Sequence, residues 1–182
     1  MKLITSFLLK LTIQVQRFID HTHRKLTGLP QLKRSQITHE LFLGGQYGNR
    51  AITTMHKIGI TGIVNMRMRS LDDKKFGEHF TILNLPTSDF HAPSNEHLLK
   101  GVEFIHAQIE KKGKVYIHCR LGEGRGPTMV IAYLLSLGMS YEDALSSVKE
   151  VRPFIGLSRA QVEMLQAFEA LMSKPIKSVQ IE

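Results

Sequence analysis

"KVYIHCRLGEGRGPTMVIAYLL", Lys114 to Leu135, holds the only cysteine of the chain, Cys119. "VYIH" is short, β-branched and aromatic, as a buried strand should be. Pro127 suits the first position of a helix and Gly138 its end, so the spacing predicts a helix over Pro127–Leu137. Between strand and helix, Cys119 to Arg125 makes a turn. In open α/β sheets, turns that leave the carboxyl ends of strands are where ligands bind. Gly122, Gly124 and Gly126 let the backbone take positive φ and point its amides inward. Such a ring of N–H groups at a helix N-terminus is an anion site that fits a phosphate. The same field favours a thiolate, which would make Cys119 a nucleophile at neutral pH. Arg125 can close the ring with a bidentate grip on two phosphate oxygens. A lone cysteine more often fills a core gap; the arginine, the glycines and the following helix argue against that here.

Outward from this stretch, short β-rich runs alternate with helical patterns. Strands are expected at Leu41–Leu43, Gly62–Met66, Phe80–Leu85 and Val115–His118. Helices are expected at Asn49–Lys57, Asn95–Lys111, Pro127–Leu137, Tyr141–Val151 and Arg159–Met172. Ser94 and Ser140 read as caps, "SRAQ" (Ser158–Gln161) as a capping box, and Gly113 and Gly138 as helix stops. The alternation implies an α/β domain with a central, mostly parallel sheet of four to five strands flanked by helices. "GLPQLKRSQ" (Gly28–Gln36) reads as a connector. It divides residues 1–35, a basic helical extension and linker, from a domain over 36–173, with a tail at 174–182.

With 182 residues, 42% of them hydrophobic, the chain can bury one good core. One cysteine excludes an intramolecular disulfide framework and points to a reducing compartment or to indifference to redox state; the expected location is cytoplasmic, with a peripheral place at a membrane surface as the variant. The formal charge of +8 is uneven: residues 1–50 hold eight Lys/Arg against two acids, and the remainder sixteen against fourteen. The basic excess therefore suits an anionic surface or substrate near the N-terminus. No run reaches the roughly 18 apolar residues needed to span a bilayer. "MKLITSFLLKLTIQVQRFIDHTHRK" is not read as a signal peptide, because Lys10 and Arg17 interrupt it and no small-x-small site follows. Ile4, Leu8, Leu11, Val15 and Phe18 keep a three-four spacing, an amphipathic helix. That helix is expected to pack on the domain or on a partner subunit, with peripheral membrane contact through residues 1–25 as the alternative.

"HCRLGEGRG" fits H-C-x5-R, the signature of the cysteine-dependent protein tyrosine phosphatase superfamily. From "ITHELFLGG" to "RAQVEMLQAFEAL", residues 37–171, the chain resembles the compact dual-specificity branch. The resemblance implies that Cys119 attacks phosphorus to form a phosphocysteine. Arg125 would bind the phosphate and stabilise the transition state. The amides of Arg120, Leu121, Gly122, Glu123, Gly124 and Arg125 would hold the equatorial oxygens. His118 would support the loop and tune the thiolate without acting as a base. The leaving oxygen needs an acid, and Asp89, in "LPTSDFHAPS" 30 residues before Cys119, matches the family's general-acid aspartate. His91 is a weaker candidate, and Asp72 and Asp73 read as a solvated turn. One departure stands out. Gly126 follows the arginine where the family usually has Ser or Thr, whose hydroxyl assists departure of the cysteine thiolate. Either breakdown of the phosphoenzyme is slow, or Thr128 takes that role.

The resemblance also implies a shallow pocket, open to phosphotyrosine and to phosphoserine and phosphothreonine. Glu123 would repel a multiply phosphorylated inositide if it faced the pocket. A phospholipid with one terminal phosphate, such as phosphatidylglycerophosphate, remains the alternative, followed by phosphoinositides. An RNA 5′-triphosphatase and a non-catalytic phosphate-binding module are remote alternatives. Nucleic-acid binding is disfavoured by the near-neutral domain, which has no reader motif. The histidines form no ligand pattern, so no metal and no cofactor are implied.

Overall fold

The structure is a computed structural model that describes residues 2–69 and 77–173, with side chains from Ser6 onward. Asp72, Asp73 and the tail at 174–182 lie outside the described residues. Helix α1 (Lys2–Thr27) leads through a 3-10 turn (Leu32–Arg34) to strand β1 (Leu41–Gly44). A second 3-10 turn (Asn49–Ala51) and α2 (Ile52–Lys57) precede β2 (Ile60–Asn65) and β3 (Thr81–Asn84). Then come α3 (Asn95–Glu110), β4 (Lys114–His118), α4 (Arg125–Ser136), α5 (Tyr141–Val151) and α6 (Arg159–Met172).

Among the described residues the sheet has four strands in the order β1-β4-β2-β3, and the pairings between these strands are parallel. Strand β4 is central: Ile117 lies opposite Leu43 on one side and Val64 on the other. Alternate residues supply the two faces. Leu41, Leu43, Val64, Val115 and Ile117 enter the larger core with α3 to α6, while Phe42, Ile63 and Tyr116 enter a smaller one with Leu29, Met55 and Phe80. Because both faces are covered, the strands read as continuous apolar runs.

The caps behave as their chemistry requires. Ser94, Ser140 and Ser158 each accept a backbone N–H from the third residue on, and Gln161 completes the box at Ser158. Gly138 ends α4 with φ +89°. Two expectations are corrected. Helix α4 starts at Arg125, so Pro127 is its third residue rather than its first. The first turn needs no N–H donors for internal bonds, so proline costs nothing there. After α3, the left-handed residue is Lys112 (φ 60°), not Gly113. Glycine is needed at 113 for a different reason, since a Cβ there would run into the Thr61 hydroxyl.

Candidate active site

The C-terminal ends of the four strands form one edge, tied by Asn65 Nδ2 donating to Asn84 Oδ1 at 2.9 Å. The loop after β4 crosses this edge. It must come close to β1: a Cβ on Gly122, which has φ +74°, would overlap the carbonyl of Gly44. In that conformation the Gly122 N–H donates to Cys119 Sγ at 3.2 Å. The sulfur is buried and sits at the N-terminus of α4, where peptide dipoles favour negative charge.

Arg125, the first residue of α4, is buried. Its Nη1 donates to the Thr87 carbonyl at 2.8 Å and its Nη2 lies 3.1 Å from Asp89 Oδ1. Its Nε has no hydrogen-bond partner among the described residues. A buried guanidinium with a spare donor is costly unless an anion arrives to take it. Asp89, Cys119 and residues 120, 121 and 123–125 line one cavity of about 390 Å³, together with Ile13, Gln14 and Arg17 of α1 and Phe90, Phe154 and Gln161. Asp89 is well exposed at the cavity mouth. The weaker candidate, His91, donates Nδ1–H to the Asp89 carbonyl at 2.9 Å and lines a separate surface depression. Gln161 Nε2 donates to the His91 carbonyl at 3.0 Å, so the cap of α6 steadies the Asp89 loop.

His118 is fully buried, and burial pushes its pKa down to about 3, against a smaller opposing effect from the Cys119 carbonyl. Its ring is therefore neutral. Nδ1 must carry the proton it donates to that carbonyl at 3.2 Å. The side chain holds the backbone of the cysteine and adds no charge beside it. Thr128 is buried, and its hydroxyl donates to the Gly124 carbonyl at 3.0 Å. Its proton is thus directed to the loop backbone and not to the sulfur. A Cβ built on Gly126 would lie 3.8 Å from Cys119 Sγ, the position from which a hydroxyl could reach it.

Several participants were not found in the sequence. Arg67 follows β2; burial first, then the like charges of Arg125, Arg69 and Arg120, hold its guanidinium below the ordinary value, with Cys119 acting the other way. Four arginines therefore share the field at the loop. Arg152 is wholly buried; its Nε donates to the Gly122 carbonyl of the loop at 3.2 Å and its Nη1 to the Arg34 carbonyl of the first 3-10 turn at 2.7 Å. Its counter-charge is Asp20 of α1, also buried, at 3.2 Å. Arg17 of α1 holds Glu123 in a bidentate pair at 2.9 and 2.8 Å, with His21 Nε2 2.8 Å from the same carboxylate. The repulsion expected from Glu123 is thereby answered, because its charge is matched before any anion binds. The sequence signal that was available is a single acid, Asp20, in an otherwise basic helix.

Helix α1 packs on the domain through its polar residues Arg17, Asp20, His21 and Arg24, and leaves Leu8, Leu11, Val15 and Phe18 exposed. Among the described residues, no helix is long and apolar enough to cross a membrane, and no group of three or more His, Cys, Asp or Glu is placed to hold a metal ion.

Comparison with known proteins agrees with this geometry. The family model for the dual specificity phosphatase catalytic domain matches residues 41–170. A phosphatidylglycerophosphate phosphatase, PTPMT2 of Arabidopsis thaliana, is 29% identical over 147 residues, which is 76% of this chain and 63% of that protein. Dual specificity protein phosphatase 1-A of Xenopus laevis is 26% identical over 137 residues, 74% of this chain and 37% of that protein. The chain thus spans less than two thirds of these relatives. The crystal structure of PTPMT1 in complex with PI(5)P superposes with a TM-score of 0.70 at 26% identity, covering 75% of this chain and 94% of that one. The family match takes in every element that lines the Cys119 cavity except α1, and the chain belongs to the dual specificity phosphatase catalytic-domain family.

Proposed function

We propose that the chain hydrolyses phosphate monoesters through a phosphocysteine intermediate. The observation that carries this reading is the joint lining of one cavity by Cys119, Arg125 and Asp89, with a backbone N–H on the sulfur and a spare Nε on the arginine. The thiolate of Cys119 attacks phosphorus, the ester P–O bond breaks, and Asp89 gives its proton to the leaving oxygen. Arg125 and the loop amides hold the other oxygens as charge develops. Water then attacks phosphorus, Asp89 takes its proton, and the S–P bond breaks to release phosphate and the thiolate.

The substrates are phosphotyrosine and, in an open pocket, phosphoserine and phosphothreonine. A phospholipid with a terminal phosphate is a second reading. It is favoured by one feature: α1 supplies one wall of the cavity while its apolar side chains stay exposed. The single thiol suits a cytoplasmic, reducing location.

Release of inorganic phosphate would be followed for phosphotyrosine and phosphothreonine peptides, phosphatidylglycerophosphate, phosphoinositides and 5′-triphosphorylated RNA. Cys119→Ser is expected to abolish turnover, and Asp89→Asn to lower kcat by about 10²–10⁴ for substrates with poor leaving groups. Turnover that survives in Cys119→Ser would sink the mechanism. Preference for the lipids would promote the second reading.

A further inference from the structure

Helix α1 is amphipathic with its sides reversed. Against the catalytic domain it places Arg17, Asp20, His21 and Arg24, whose partners are Glu123, Arg152 and the Gln46 carbonyl. Away from the domain it places Phe7, Leu8, Leu11, Val15, Phe18 and Ile19. All six are exposed, Phe7 by 66% and Phe18 by 71%. At 100° per residue they occupy an arc of about 120°, the width of an apolar face normally buried. Rolling the helix to bury that face would leave Arg152 charged and without its counter-ion in the core, so the ion pairs hold the stripe outward. A contiguous exposed apolar face of this kind marks an interaction surface.

The charge around the stripe selects the partner. Lys10 and Lys25 are exposed beside it, and the one acid of α1, Asp20, is buried against Arg152. The first 50 residues carry eight basic residues and two acids. A second copy of this chain would offer the same face, which has lysines beside it and whose one acid in α1 is buried, and so no charge complementary to them. Anionic headgroups would meet the same lysines favourably while the apolar side chains enter the acyl boundary. We infer that the outward face of α1 is an interfacial docking surface for an anionic lipid bilayer. Ile13, Gln14 and Arg17 of the same helix line the Cys119 cavity, and Phe90, 78% exposed, stands beside Asp89 on another part of its rim. Docking therefore brings the cavity to within about one helix diameter, roughly 10 Å, of the headgroup layer.

The test is co-sedimentation of the full chain with vesicles of phosphatidylcholine containing phosphatidylglycerol, beside vesicles of phosphatidylcholine alone. It needs no turnover, so it stands or falls separately from the phosphatase reading. Partition onto the anionic vesicles is expected to be at least about tenfold stronger and to weaken as salt rises. The triple variant Phe7→Asp, Leu11→Asp, Phe18→Asp is expected to lose binding by about tenfold or more, and Lys10→Glu with Lys25→Glu to remove the preference for anionic lipid. All five positions are exposed, and circular dichroism melts confirm that each variant is folded. Absence of binding to either vesicle would overturn the inference, as would binding indifferent to the triple variant. A dimer in equilibrium sedimentation that the triple variant dissolves, with no vesicle binding, would reassign the face to a second copy.

Discussion

Helices α4 and α1 meet the same loop and are built in opposite ways. From Arg125 to Leu135 every residue of α4 is buried, and most of them are apolar. Helix α1 buries a carboxylate and leaves its phenylalanines outside. The difference lies in what each supplies. Helix α4 continues the loop covalently, so its position is set by the chain and its side chains fill the core below. Helix α1 is separated from its partners by 106 residues at Glu123 and 132 at Arg152. It is held where the loop has charges to be matched. Burial here follows the need for a counter-ion, because an unpaired buried guanidinium costs more than an exposed apolar stripe.

That contrast can be broken most severely at Asp20. Asp20→Ala leaves Arg152 buried without its carboxylate and is expected to cost about 3–5 kcal/mol of stability. A lower urea midpoint with an unchanged slope would show it. A loss under 1 kcal/mol would mean that the carbonyls of Gly122, Leu121 and Arg34 suffice for Arg152, and that α1 is an accessory.

A second test concerns His118, held neutral beneath the loop. Its folded pKa lies below its unfolded one, so the unfolded state binds more protons between pH 6.5 and about 3. Its contribution is intact above pH 6.5 and is lost as pH falls through that window, by up to about 1.4 kcal/mol per pH unit. His118→Asn keeps an N–H donor and removes the titration. Its melting temperature is expected to fall less steeply from pH 6.5 to 5 than that of the wild type. Parallel slopes would show that the histidine is protonated in place.

The smallest effect sharpens the comparison at the start of α4. Gly126→Ser adds a hydroxyl within reach of Cys119 Sγ if Leu43 Cδ1, 3.0 Å from the new Cβ, gives way by a few tenths of an ångström. Breakdown of the phosphoenzyme is expected to quicken by about threefold to tenfold, an effect of about 1 kcal/mol, read as a smaller burst in rapid-quench experiments. A burst unchanged in Gly126→Ser but enlarged in Thr128→Val would give that step to Thr128.

Much of the site was legible in one stretch. A β-branched run, a cysteine, spaced glycines, an arginine and a proline lie within 14 residues, and each constrains backbone its neighbours share. Strand and helix order, the three serine caps and the loop's place at the sheet edge followed from such local rules. Arg67 and Arg152 were not legible, and Gln161 was legible only as a cap. The two arginines are ordinary polar residues until the fold places them beside the loop.

The sequence by itself determined that α1 is a basic, amphipathic helix, since spacing and composition are properties of the segment alone. It also placed the cysteine, arginine and glycines on one turn, because their separation is short enough for the backbone to dictate their geometry. Only the tertiary structure decided which side of α1 meets the domain, that Glu123 arrives already neutralised, and that the Thr128 proton goes to Gly124. Those outcomes depend on pairing energies between groups far apart in the chain, and periodicity records the existence of a face without recording what lies opposite it.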